Sequence, residues 1–149
     1  MISKILLATD GSETARKAIG YAVDLAKQTG AKITFLSVID KSFFVSKSIP
    51  AAATPIHLIE PIEDYLRQAA EAHLEEVEQL CKKKGVQSSM VIRTGHPVEE
   101  IIKEAEKSKV DLIVMGSHGT SALKAAVLGS ITFGVIHKDT KFPVLVIRK

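Results

Sequence analysis

Apolar residues along the chain keep two alternating rhythms, short continuous runs and stripes recurring every three or four positions. Ile2 to Ala8 is a run of the first kind and closes on Thr9-Asp10-Gly11-Ser12. From Ala15 onward Ala18, Ile19, Ala22, Val23 and Ala26 form a stripe, which predicts a helix with one buried face. Ser12 is placed to cap its start and Gly30 to end it. Lys32 to Val38 (KITFLSV) is rich in β-branched and aromatic residues and predicts a second strand.

Asp40 to Pro61 breaks the rhythm. With Pro50, Pro55, the run Ala51-Ala52-Ala53 and the pair Phe43-Phe44, it reads as a long irregular connection, of the kind that serves as a lid, a contact surface or a mobile segment. A helical stripe then runs from Ile62 through Leu66, Ala69, Ala70, His73, Val77 and Leu80 to a stop at Gly85. Gln87 to Ile92 predicts a strand and Thr94-Gly95-His96 a turn. Pro97, with Glu99 and Glu100 behind it, predicts a helix start, the helix running to about Lys107. Val110 to Met115 (VDLIVM) has the near-continuous apolar character of a strand buried on both faces. A glycine-containing stretch, a helix to about His137 and a fifth strand at Pro143 to Ile147 complete the chain.

Strands alternating with helices demand parallel pairing through crossover helices that cover both faces of the sheet. The expected fold is a single α/β domain over residues 1–149, doubly wound and Rossmann-like, with a five-stranded parallel sheet in the order 3-2-1-4-5. Such sheets bind ligands beyond the carboxyl ends of their strands, where the strand order reverses. Thr9 to Ser12, Val38 to Asp40, Thr94 to His96 and the start of the glycine stretch are therefore the functional candidates.

Composition removes several alternatives. A chain of 149 residues with 46% hydrophobic and 25% charged residues can bury a core without disulfides or metal. Its net charge of +3 is dispersed, and with two tyrosines, five phenylalanines and no tryptophan it lacks the basic, aromatic face of a nucleic-acid reader. No apolar run is long enough to span a membrane, and MISKILLATD turns polar too early for a signal peptide. The single cysteine, Cys81, reads as a small buried hydrophobe and fits a reducing, cytoplasmic setting. His57, His73, His96, His118 and His137 form no pair at metal-ligand spacing, so no metal site is expected from protein groups alone.

The glycine stretch, GSHGTSALKAAVLGS from Gly116 to Ser130, carries the chemistry. Glycines let backbone N–H groups converge on an anion, and a helix start adds unpaired donors and the positive end of a dipole. The Walker pattern fails here because no Lys precedes Ser130. The GxGxxG fingerprint fails on spacing. What stands is G-x2-G-x9-G-S after the fourth strand.

In residue type and spacing Gly116, Gly119, Gly129 and Ser130 resemble the nucleotide-binding motif of the universal stress protein family. The resemblance extends to KILLATDGSETARKAIGYAVDLA at the start, GHPVEEII in the middle and GSITFGVIHKDTKFPVLVIRK at the end. It implies the family's ATP-binding branch, with Asp10 against the nucleoside and the backbone of Val38 against adenine. Gly116 and Gly119 would serve ribose and phosphate, and Gly129 and Ser130 the phosphates, with Thr132 assisting. Thr9, Met115, His118 and Ile131 flank these positions and complete the candidate set. By the same resemblance the ligand is ATP, AMP or ADP, with Mg²⁺ or Mn²⁺ held through its phosphates, and the fifth strand is the edge of a homodimer.

One departure matters: many members of that family carry Arg or Lys in the spacer, whereas TSALKAAVL holds Lys124 as its only cation, which should weaken, though not abolish, the hold on a triphosphate. The loop also offers no arginine finger and no water-orienting Gln or Glu, so binding is expected rather than catalysis, with hydrolysis slow at most. Adenylating and nucleotidyl-transfer enzymes of similar fold need HxGH or SGGxDS after the first strand, where this chain has TDGS. A module of the same fold that binds no nucleotide remains the alternative.

Overall fold

The apolar runs become strands and the stripes become helices. In the computed structural model, which describes residues 1–40, 56–117, 128–138 and 141–148, β1 (Lys4–Ala8) leads through α1 (Glu13–Thr29) to β2 (Lys32–Ile39). Then follow α2 (Ile56–Lys84), β3 (Ser88–Thr94), α3 (Pro97–Ser108), β4 (Leu112–Gly116), α4 (Ser130–Lys138) and β5 (Val144–Ile147). The five strands pair in parallel in the order β3-β2-β1-β4-β5, as expected.

Alternation along the central strands divides the core into two layers, because successive side chains leave a strand on opposite faces. Ile5 and Leu7 of β1, with Ile33 and Phe35 of β2, face α1 and α2, where they meet Ala18, Ala22, Val23, Leu74, Val77 and Cys81. Leu6 and Leu36 point the other way, onto Ile101 and Ala105 of α3 and Val135 of α4. Cys81 is fully buried, and burial pushes its thiol pKa up, so it packs as an apolar residue.

The predicted helix ends hold where the local chemistry is explicit. The Ser12 side chain accepts from the Ala15 N–H, and Gly30, at φ 76°, takes the left-handed conformation that closes α1. His96 stands at the entry to α3 without a side-chain cap, and Pro97 occupies the first turn. At the amino edge of the sheet Asp111 accepts hydrogen bonds from the Ser3 N–H, the Ser3 hydroxyl and the Lys4 N–H at 2.8, 2.9 and 2.9 Å. These bonds tie β1 to the entry of β4 and hold the Asp111 carboxyl below the usual carboxylate range.

Several boundaries differ from expectation, and three of them bear on the fold. Helix α2 begins at Ile56, not Ile62, and passes through Pro61, so the end of the supposed irregular connection is helical. A proline costs a helix one hydrogen bond, and this close to the start of a long helix that loss is tolerable. Strand β3 runs on to Thr94, because Arg93 and Thr94 still pair with Val38 and Ile39. Strand β4 starts at Leu112 and includes Gly116, which pairs with Ile147. Residues 41–55 of the connection lie outside the described residues. Among the described residues no helix is long and apolar enough to cross a membrane.

Two glycines distinguish open from filled helix surface. A Cβ at Gly20 in α1 would meet nothing within 4 Å, whereas one at Gly134 in α4 would sit 2.7 Å from Val98 Cγ2. Gly20→Ala is expected to stabilise the protein by ~0.5–1 kcal/mol. Gly134→Ala should destabilise it by ~1–3 kcal/mol, since β-branched Val98 has little freedom to yield. Denaturant midpoints moving in the same direction for both would contradict the α3–α4 packing described.

Candidate functional site

The strand order reverses between β1 and β4, which are adjacent in the sheet although two strands and three helices separate them along the described chain. Crossovers leave this point in opposite directions, which opens a crevice between the two carboxyl ends. Leu7 pairs with Val114, and continuing that register brings Thr9 level with Gly116. The candidates from β1 and β4 therefore share one crevice.

On the β1 side, a short relay of hydrogen bonds shapes the turn. The Thr9 N–H continues the ladder to the Leu36 carbonyl at 2.9 Å. Asp10 Oδ1 accepts the Ser12 N–H at 2.9 Å, and Gly11, at φ 80°, makes the left-handed bend that lets the chain enter α1. Ser12 in turn caps α1 through the Ala15 N–H at 3.2 Å. Asp10 is thus exposed on a turn whose backbone is pinned on its α1 side.

On the β4 side, the chain leaves and returns through a clasp. Ser117, only 1% exposed, donates its N–H to the Ile147 carbonyl at 2.8 Å and accepts the Gly129 N–H on its own carbonyl at 2.7 Å. Buried Thr132 donates its hydroxyl to the Gly116 carbonyl at 2.8 Å. A Cβ at Gly116 would stand 3.0 Å from the backbone carbon of Thr14, so α1 also begins against this glycine. Met115 is buried in the layer that contains Val135 and is a support for the crevice floor. His118 and Gly119, with Lys124, lie outside the described residues.

The two helices that start at the crevice differ in a way that matters for ligands. Helix α1 is closed by the side chain of Ser12. Helix α4 is preceded by Gly129, which has no side chain to offer, and its first regular bond runs from Phe133 N–H to the Gly129 carbonyl at 2.9 Å. The N–H groups of Ser130, Ile131 and Thr132 precede that bond and have no carbonyl within the helix to pair with. With the exposed Ser130 hydroxyl beside them, they form an anion-accepting end at the head of the crevice.

Val38 is half-buried at the end of β2, paired with Arg93 and next to the strand that carries Thr9. Among the described residues no group of three or more His, Cys, Asp or Glu side chains could hold a metal ion. Sequence reasoning missed three contributors. Thr14 and Ser117 gave no signal beyond their proximity to motif residues. His73 occupies an inward position of the α2 stripe, yet its Nε2 lies 2.9 Å from Thr9 Oγ1, a partner 64 positions away.

The model of the universal stress protein family matches residues 1–148. The chain belongs to that family. Universal stress protein YxiE of Bacillus subtilis is 35% identical over 149 residues, covering 99% of this chain and all of the relative. The solved structure of MJ0577, a universal stress protein of Methanocaldococcus jannaschii, superimposes with a TM-score of 0.87 at 33% identity, covering all of this chain and 97% of that one. A universal stress protein solved in complex with cAMP shares the fold, with a TM-score of 0.64 at 24% identity, over 99% of this chain and 97% of that one.

The clasp makes its own prediction. Thr132→Val keeps the shape but leaves the Gly116 carbonyl without its hydroxyl donor, and should cost ~1–3 kcal/mol in urea unfolding. Exposed Ser130→Ala should stay within about 0.5 kcal/mol of the parent. A Thr132→Val protein as stable as the parent would show that the hydroxyl does not hold the loop ends together.

Proposed function

We propose that this universal stress protein binds an adenine nucleotide, ATP by preference, in the crevice between β1 and β4, and acts as a nucleotide-responsive regulator rather than an enzyme. The observation that carries the reading is the start of α4 beside the β1 turn, with first-turn N–H groups that have no carbonyl within the helix on one side and Asp10 on the other. In this arrangement the phosphates lie on Gly129, Ser130 and the first turn of α4. Asp10 takes the nucleoside hydroxyls, and the backbone at Val38 takes the base. A cAMP complex of a protein with the same fold is consistent with a purine nucleotide here.

The described donors are neutral N–H and hydroxyl groups, which suit phosphate oxygens. With no acidic cluster among the described residues, a Mg²⁺ or Mn²⁺ ion would ride on the phosphates and water, neutralising part of their charge. The spacer's single lysine and its lack of arginine favour retention of the nucleotide over phosphoryl transfer. The single, buried Cys81 fits a cytoplasmic protein.

We place the second half of the reading on β5. It is an edge strand, and half-exposed Leu145 together with Phe133, 59% exposed, and Ile136 gives this end of the molecule an apolar surface. An unpaired apolar edge is an aggregation hazard unless covered, and pairing with β5 of a second copy covers it.

Two experiments follow. Protein purified under native conditions, then denatured, is expected to release adenine nucleotide, and calorimetric titration with Mg²⁺-ATP should saturate. Gly129→Val should weaken ATP at least about tenfold by obstructing the phosphate donors. No binding at millimolar ATP overturns the reading, and unchanged binding by Gly129→Val removes the site assignment. Sedimentation should give twice the 16.1 kDa chain mass, and Leu145→Lys should reduce it to the monomer. A parent protein that sediments as a monomer excludes the β5 dimer.

A further inference from the structure

The Thr9–His73 contact joins the crevice to a helix that supplies none of the candidate binding residues. Thr9 ends β1 and is 5% exposed, so its hydroxyl has little access to water. His73 Nε2 of α2 lies 2.9 Å from it. The Gly11 N–H points at the same oxygen from 3.5 Å, at the outer limit of a hydrogen bond. A hydroxyl both donates and accepts, so the Gly11 N–H and the imidazole can be satisfied together. Asp10 lies between Thr9, which carries this oxygen, and Gly11, whose N–H faces it. The turn is therefore held from two sides, by Ser12 and its cap on α1 and by His73 from α2.

We infer that His73 is a positioning residue of the nucleotide site: through the Thr9 hydroxyl it fixes the Asp10-Gly11 turn, and so sets the affinity for the nucleoside end of the ligand. The inference rests on the proposed nucleotide site. Its reasoning is local. Without the imidazole, a nearly buried hydroxyl keeps, among the described residues, the long contact to Gly11, and the turn gains freedom where Asp10 must be aimed. The start of α4 is held by separate bonds, of Gly129 to Ser117 and of Thr132 to Gly116. Loss of His73 therefore acts on the nucleoside half of the site and spares the phosphate half.

That division gives the test. Full-length parent protein is titrated with Mg²⁺-ATP, AMP and adenosine, then His73→Leu, His73→Gln and Thr9→Val with the same ligands. His73→Leu should weaken all three by a similar factor, about tenfold, because the defect lies in the shared nucleoside. His73→Gln places an amide near the Nε2 position and should recover affinity to within about threefold of the parent. In the double variant Thr9→Val/His73→Leu the losses should not add, since both changes remove one contact. Should His73→Leu fail to fold, Thr9→Val replaces it and must show the same equal loss.

A parent that binds while His73→Leu binds equally well overturns the inference and leaves the nucleotide site standing. So does a loss confined to ATP, or a loss that His73→Gln does not repair. A parent that binds none of the three ligands overturns the site itself, and the inference with it.

Discussion

Parallel pairing of β1 with β4 is the contact on which the rest of the molecule depends. These strands are distant in the chain, and only the crossover through α3 brings them together. Their apolar side chains, Ile5, Leu6 and Leu7 against Ile113 and Val114, are all fully buried, so the pairing is sealed from both faces. Burial of this order, near 25 cal/mol for each Å² of apolar surface, is what offsets the entropy of closing so long a loop. Its register then sets Thr9 level with Gly116. The site is a by-product of the same pairing that builds the core.

From that register the polar chemistry follows in a graded way. Backbone groups near the crevice are consumed wherever the fold needs them. Ser12 closes α1, Ser117 links β5 to the returning chain, and Thr132 closes on Gly116. The start of α4 differs, because the residue before it is a glycine with no side chain to cap it. Leaving donors unpaired at a helix end weakens the helix, and a ligand that accepts those bonds restores what is lost. Under the proposed function binding and local order are linked: a bound nucleotide would supply to α4 what Ser12 supplies to α1. A regulator needs such a linkage, since an occupied and an empty site then differ in the firmness of one helix and the loop before it.

The architecture was legible in the sequence because it rests on periodicity and punctuation, which are local. Ser12, Gly30, Gly85 and Pro97 each act within one helical turn of their own position, and all mark boundaries as expected. Pro61 misled because its missing N–H is a local cost that a long helix can absorb near its end. Thr94 was placed in a turn because its role in the ladder comes from Ile39, on another strand. The same distinction runs through the site. Gly116, Gly129 and Ser130 could be picked out by spacing, whereas His73 and Ser117 act through partners that only the folded chain brings near. His118 and Gly119 lie outside the described residues and remain sequence expectations.

The central claim is that one crevice, bounded by the β1 turn and the start of α4, receives the nucleotide. Backbone amide chemical shifts of uniformly ¹⁵N-labelled protein, followed during titration with Mg²⁺-ATP, test it most directly. The account predicts the largest changes at Asp10, Gly11, Gly129, Ser130 and Ile131. Ser3 and Asp111, at the opposite edge of the sheet, should stay unchanged. Saturable binding whose largest shifts fall away from these two segments, or a spectrum that ATP does not alter, would contradict it.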